Sequence, residues 1–315
     1  MTIPCAASMP SFTLPLRALG DEEGARVPRG LPFIVDAHVH AFAPRLFEAI
    51  WRWFDTHGWP IRYRLHASEV LDFLLSRGVG HLVLLHYAHK PGIARSMNAF
   101  MAECARGRDR VTALATVFPG EEGAKDILEE AFVLGLRGVK LHCHVQGMAV
   151  DDSALHDVYD TCVARDLPLV IHAGREPKSA GYKIDPYTIC GAERMAEVLR
   201  SFPKLRVCVP HLGADEFSAY ETLLETFDNL WLDSTMMLGH YLHFPVPRRL
   251  LDARPERIFY GTDFPNLPYA WDRELVHLGD HGLTDARLPG FLGENAARFF
   301  RIALPGASAV IPSEP

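Results

Sequence analysis

The chain has 315 residues, 48% of them hydrophobic and 23% charged, with a formal net charge of −7. That length allows two average domains or one large α/β barrel, and the apolar share is enough for a sizeable core. An acidic balance without any Lys/Arg run argues against a nucleic-acid partner, and no apolar run reaches the roughly 18 residues of a membrane span.

Taken in order, residues 1–30 are rich in Pro, Gly and small residues and read as an N-terminal arm without the basic and apolar stretches of a secretion signal. Residues 33–40, Phe-Ile-Val-Asp-Ala-His-Val-His, read as a buried parallel strand. Side chains two apart on a strand share a face, so His38 and His40 can aim both imidazoles at one point past its carboxyl end. Two converging nitrogen donors suit a zinc-class ion. In a chain with 16 histidines one such pair is a weak signal, and the downstream pattern has to support it. Residues 43–59 bring an aromatic cluster, Phe47, Trp51, Trp53, Phe54 and Trp59, read first as a helix on the core and second as a pocket wall.

From Ser68 a regular alternation begins. Helices are predicted over 68–77 with Ser68 as N-cap, then 93–106, 121–134, 152–165, 192–201, 216–227, 248–253, 274–278 and 295–301. Gly135 is placed to end the helix before it. Strands are predicted over 81–86, 111–117, 138–142, 169–172, 205–209, 230–233 and 258–260. With the first strand that makes eight, the pattern of a (β/α)8 TIM barrel over residues 31–302 with a tail at 303–315. A doubly wound open sheet would want a Gly-rich phosphate turn after the first strand, where this chain has His-Val-His.

In a barrel of this kind chemistry gathers where strands end, at the C-terminal face. At those positions stand His38 and His40, His86, Lys140 and His142, His172, His211, Asp233 and Asp263. Any one buried histidine is more often a hydrogen-bonded structural residue than a ligand, so the weight rests on their shared end. Three imidazoles and one carboxylate can hold a divalent ion and leave a position open to water.

The motifs Asp36-Ala-His-Val-His40, Gly138-Val-Lys-Leu-His142, Ile171-His-Ala-Gly174, Pro210-His-Leu-Gly213 and Gly261-Thr-Asp-Phe-Pro265 carry a resemblance to a known family. The chain resembles the amidohydrolase superfamily, and within it the branch of aminocarboxymuconate-semialdehyde decarboxylase-like proteins. The resemblance implies a distorted TIM barrel with a metal site at its C-terminal face. It implies His38, His40, His172 and Asp263 as metal ligands, with Asp263 also the catalytic proton acceptor. His211 matches a histidine that is a ligand in binuclear members and a catalytic side chain in mononuclear ones. Lys140 stands where binuclear relatives such as phosphotriesterase keep a carboxylated, metal-bridging lysine; an unmodified lysine paired to a carboxylate or to substrate is the alternative. One divalent ion, zinc first, is therefore expected, with a second if Lys140 is carboxylated.

For substrate binding, Arg175 could fork onto a carboxylate or stand as a solvated loop arginine, and His142 shares the Lys140 side of its strand. Glu176, Lys178, Tyr182, Lys183 and Asp185 extend the same loop, while Cys143 and His144 read as peripheral. His86, His89, Asp233 and residues 266–271 are further pocket candidates. The first expectation is a hydrolase that cleaves an amide, lactone or ester bond of a small molecule with metal-activated water. The second is a non-oxidative decarboxylase or hydratase of a small carboxylic acid using the same metal. The third, a barrel without catalysis, predicts a missing ligand, and none is missing. A small-molecule substrate is expected, with no nucleic acid and no membrane, and a homo-oligomer is left open. Six scattered cysteines, Cys5, Cys104, Cys143, Cys162, Cys190 and Cys208, form no C-x-x-C pair and fit reduced thiols in the cytoplasm.

Overall fold

In the structure, a computed structural model that describes residues 19–242 and 245–305, short parallel strands alternate with helices along the chain. The first part runs β1 Val35–His40, α1 Pro44–His57, α2 Ala67–Ser76, β2 His81–Leu85, α3 Ala94–Ala105, β3 Val111–Ala113 and α4 Ala124–Val133. The middle runs β4 Val139–His142, α5 Cys143–Gln146, α6 His156–Arg165, β5 Leu169–His172, α7 Pro186–Ile189, α8 Ala192–Ser201 and β6 Val207–Val209. The last part runs α9 Phe217–Thr226, β7 Leu230–Asp233, α10 Arg248–Ala253, β8 Ile258–Phe259, α11 Arg273–Val276 and α12 Asn295–Phe300.

Every consecutive pair within β1–β3 and within β4–β8 is parallel and hydrogen-bonded. Single bridges close the two seams, Ala115 with Val139 and Val39 with Phe264. At the first seam Lys140 N donates to Ala115 O at 2.8 Å, and at the second His40 N donates to Phe264 O at 2.7 Å. The sheet therefore meets itself as an eight-stranded barrel, as the alternation predicts.

Two apolar layers hold it together. Outward strand residues such as Leu82, Leu84, Leu141, Ile171 and Leu232 pack with helix residues such as Val70, Leu74 and Met101. Inside, Val35, Val83, Leu114, Val170, Cys208, Trp231 and Phe259 form a second cluster with Phe299 and Phe300 of α12. Each fully buried aromatic of that plug contributes about 1.5–3 kcal/mol relative to exposure.

The interior phase of β1 depends on a local irregularity. Asp36 pairs with Leu82, yet Val39 pairs with Leu84, so one extra residue is inserted in β1. Val35 and Ala37 face the interior cluster, and without the insertion Val39 would follow them. Instead Val39 joins the outer layer, and the even-numbered His38 and His40 turn inward. A bulge of this kind re-aims side chains beside a site.

Most predicted elements appear within a few residues of their expected limits, with instructive departures. The helix expected to start from Ser68 as N-cap begins at Ala67, because Glu69 reaches back to accept from the His66 backbone N–H at 2.8 Å. The helix expected from 121 starts at Ala124, after Gly123 adopts a left-handed φ of 73°. The short helices α5 and α7 were not foreseen.

The described part of the expected arm packs on the barrel: Val27 N donates to Arg77 O at 2.8 Å, and Gly24 N donates to the Asp272 carboxylate at 2.8 Å. Residues 1–18, with Cys5, and 306–315 of the expected tail lie outside the described residues. Cys104, Cys143, Cys162, Cys190 and Cys208 are free thiols. No helix among the described residues is long and apolar enough to cross a membrane.

Candidate active site

His38, His40 and Asp263 are buried and place one donor atom each within 4.8 Å of the others. Asp263 Oδ1 lies 3.0 Å from His40 Nε2 and 3.4 Å from His38 Nε2. Hydrogen bonds behind the rings orient both imidazoles. His38 Nδ1 donates to Asp233 Oδ2 at 2.9 Å, and His40 Nδ1 donates to the Leu85 carbonyl at 3.3 Å. With the proton on Nδ1 in each case, both Nε2 lone pairs face the same carboxylate oxygen. Three electron-rich atoms crowded at these distances are a site for a cation, so the residues present fit a divalent ion.

Electrostatics agree. Burial, with the Lys140 charge, pushes His38 down to about 4, which keeps it neutral and able to coordinate at pH 7. Burial would raise the Asp263 carboxyl, but positive charge at the His40 position outweighs it and holds the carboxyl below its ordinary value, a preference that a bound cation would meet. Asp36, buried under the site, is pushed up to about 7; it accepts from Thr262 Oγ1 at 2.7 Å and Thr262 N at 3.0 Å, tying β1 to the turn that carries Asp263. In that turn Gly261 is required by space: a Cβ there would sit 2.7 Å from His38 Cβ. Asp263 and His211 both hold left-handed backbone, φ 75° and 58°. Strain of this sort in a non-glycine residue concentrates at functional sites.

The other expected residues arrange themselves around this triad. His211 stands across from His38, ring centroids 5.8 Å apart, and its Nδ1 donates to the Thr235 carbonyl at 2.9 Å, leaving an Nε2 lone pair. His172 lies 4.7 Å from His211 ring to ring and stacks on His142 at 4.2 Å. Its Nε2 donates to the Glu176 carbonyl at 3.1 Å, so its free lone pair is on Nδ1. Lys140 is fully buried, its Nζ 3.5 Å from His38 Nε2, and burial pushes it down to about 8 against the pull of Asp233 and Asp263. A cavity lined by Trp59, Glu176, Pro177, Ala214, Met236 and Leu242 adjoins His211, so the last aromatic of the 43–59 cluster is a pocket wall.

A model of the amidohydrolase family (Amidohydro_2) matches residues 35–302, most of the chain. The chain belongs to the amidohydrolase family. Together with the His38, His40 and Asp263 triad, membership supports a divalent metal. Among solved structures it is similar to an uncharacterized TIM-barrel protein from Bordetella bronchiseptica, with TM-score 0.66 and 19% identity over 86% of this chain and 99% of that one. It is similar to 5-carboxyvanillate decarboxylase from Novosphingobium aromaticivorans complexed with manganese and 4-hydroxy-3-methoxy-5-nitrobenzoic acid: TM-score 0.63, 16% identity, 89% and 100% covered. It is also similar to a protein described as a 2-pyrone-4,6-dicarboxylic acid hydrolase from Pseudomonas putida, with TM-score 0.58, 17% identity, and 86% and 98% covered. At such identities the likeness establishes the barrel and not the reaction. No curated protein matches the sequence.

Within this amidohydrolase several positions differ from the sequence expectation. Arg175 does not face the triad: Nε and Nη2 donate to the two Asp215 carboxylate oxygens at 3.1 and 2.9 Å, and Glu216 adds a third oxygen at 3.3 Å. His86 follows Val83 and Leu85 out of phase and lies outside the barrel interior, where burial pushes it down to about 3. Tyr87, in phase, is the residue that was missed, its ring 4.8 Å from His142 and 5.8 Å from His40. Counting parity from Val83 would have found it. His89 is exposed. His144 is not peripheral: strand alternation stops at His142, the α5 turn carries His144 round, and its ring packs 4.5 Å from His172.

The buried imidazoles make the fold acid-sensitive. His38, His81 and His144 are pushed down to about 4 and His86 to about 3, in each case chiefly by burial. Between pH 6.5 and 4 the unfolded chain binds protons that the folded chain refuses. The stability these rings contribute is therefore complete above pH 6.5 and is lost toward pH 4, at about 1.4 kcal/mol per pH unit for each such histidine, while Asp36, held up to about 7, offsets about one of the four over the same window. Thermal melts of metal-free protein should show Tm falling steeply across that window; a flat Tm would mean the rings are already charged in the native state.

Proposed function

We propose that this amidohydrolase is a metal-dependent hydrolase that opens an amide, lactone or ester bond of a small molecule. The observation that carries the proposal is the placement of one buried carboxylate, Asp263, against two oriented Nε2 lone pairs with His211 opposite. His38, His40 and Asp263 would hold a divalent ion, zinc by this nitrogen-rich donor set, and that ion would supply polarisation of a substrate oxygen and a water acidified toward a pKa of about 7. Asp263 Oδ1 faces the histidines, leaving Oδ2 to take the water's proton and return it to the leaving group.

His211, with its proton committed to the Thr235 carbonyl, acts through Nε2 as a ligand or a base. His172 stands outside the 4.8 Å group of His38, His40 and Asp263 but beside His211, with Nδ1 free to complete an ion's shell, and His142, stacked on it, lines the substrate side with Tyr87. Lys140 acts as the amine or ammonium beside His38, which makes the site mononuclear; a carboxylated Lys140 would admit a second ion.

Decarboxylation, the reaction named for one structural neighbour, needs a cation to hold the departing carboxylate. Arg175, the loop candidate for that task, is already forked onto Asp215, so a substrate carboxylate would have to draw on Lys140 or the ion itself, which weighs toward hydrolysis. The test is a panel of lactones, esters and amides beside hydroxylated aromatic acids, run in ¹⁸O-water. Hydrolysis should place ¹⁸O in the product acid; CO2 release without that label would replace this reading with the decarboxylase.

A further inference from the structure

A second cluster of metal-competent side chains stands on the surface, on the segment after β7 and the turn after α11. His240 Nε2 lies 3.0 Å from Asp280 Oδ2, and His277 Nδ1 lies 2.8 Å from the same oxygen. The His240 and His277 rings meet edge to face at 5.0 Å, and His281 stacks on His240 at 5.0 Å. All three donor atoms fall within 4.8 Å of one another. His240 is held in left-handed backbone, φ 50°, a conformation that a histidine adopts at a cost. The barrel triad does not need these residues.

From this convergence we infer that His240, His277 and Asp280 form a separate site for a zinc-class divalent ion. Two imidazoles and a carboxylate are the donor set such ions take, and exposure leaves room for water to complete the shell. The site's place in the fold gives it a consequence. The segment that carries His240 outward carries Met236 and Leu242 into the cavity beside His211. It is already stitched to the α11 region, where Glu274 accepts from Leu238 N at 2.7 Å and His281 Nε2 donates to Leu238 O at 3.0 Å. An ion at His240, His277 and Asp280 would clip that pocket wall to the turn at Leu278–His281.

The test uses full-length protein stripped with chelator and titrated with ZnCl2 and, for its visible bands, CoCl2. The His38→Ala/His40→Ala double variant, which removes the barrel pair, should still bind one equivalent at micromolar metal. Adding His240→Ala and His277→Ala should abolish it, and Asp280→Asn, a milder surface change, should weaken binding at least tenfold while leaving the melting curve of the stripped protein unchanged. Zinc should raise the Tm of the barrel double variant and not that of the combined variant. Equal binding with and without the surface histidines, or binding only at millimolar metal, would overturn the site. Because the readout is taken without the barrel pair, it stands or falls separately from the proposed hydrolase.

Discussion

Asp263→Asn is expected to keep most of the bound metal and lower kcat by about 10²–10⁴, the range supplied by a positioned proton acceptor. The substitution isolates that role. Asp263 sits at φ 75°, a region that asparagine tolerates at least as well as aspartate, so the backbone should hold its course. The amide oxygen can still face His38 and His40, while the capacity to accept a proton is gone. The measurement is kcat on whichever substrate of the panel turns over, with metal content determined on the same preparation. Undiminished kcat would remove Asp263 from proton transfer. Lost metal together with lost kcat would reassign it as a ligand alone.

The second large effect concerns the pair that opens the site. In a background lacking His240 and His277, so that surface binding makes no contribution, His38→Ala with His40→Ala should take bound metal from one equivalent to none. Far-UV circular dichroism should still report the barrel, because Val35, Ala37 and Val39 keep their places in the two apolar layers. Some stability is lost: Asp233 is left without the His38 Nδ1 bond, and an unsatisfied buried acceptor costs about 1–3 kcal/mol or more when charged. Metal analysis showing a full equivalent in this variant would refute the ligand assignment.

Some features of the site could be read from the chain because the rules behind them are local. Alternation of apolar runs with helix-period segments depends on neighbours two to four residues away, so the eight strands and most helices emerge from it. The same rule puts Lys140 and His142 on one side of β4, and the structure keeps both beside the site. Where a local rule was interrupted, the reading failed with it. The α5 turn breaks the alternation after His142 and brings His144 against His172, and His86 was counted by its position at the strand end without regard to its parity.

The amino-acid order alone determined the barrel, the end of it at which chemistry collects and the residue types gathered there, since each follows from short-range periodicity repeated eight times. Tertiary structure decided the rest. The extra residue in β1 that turns His38 and His40 inward is defined only against the partner strand β2. The commitment of Arg175 to Asp215, 40 residues away, and the meeting of His240 with Asp280 depend on which loops fold over the rim. Pairings of that kind are contests among many possible long-range partners, settled by packing and electrostatics in the closed molecule, and no spacing in the linear chain encodes their outcome.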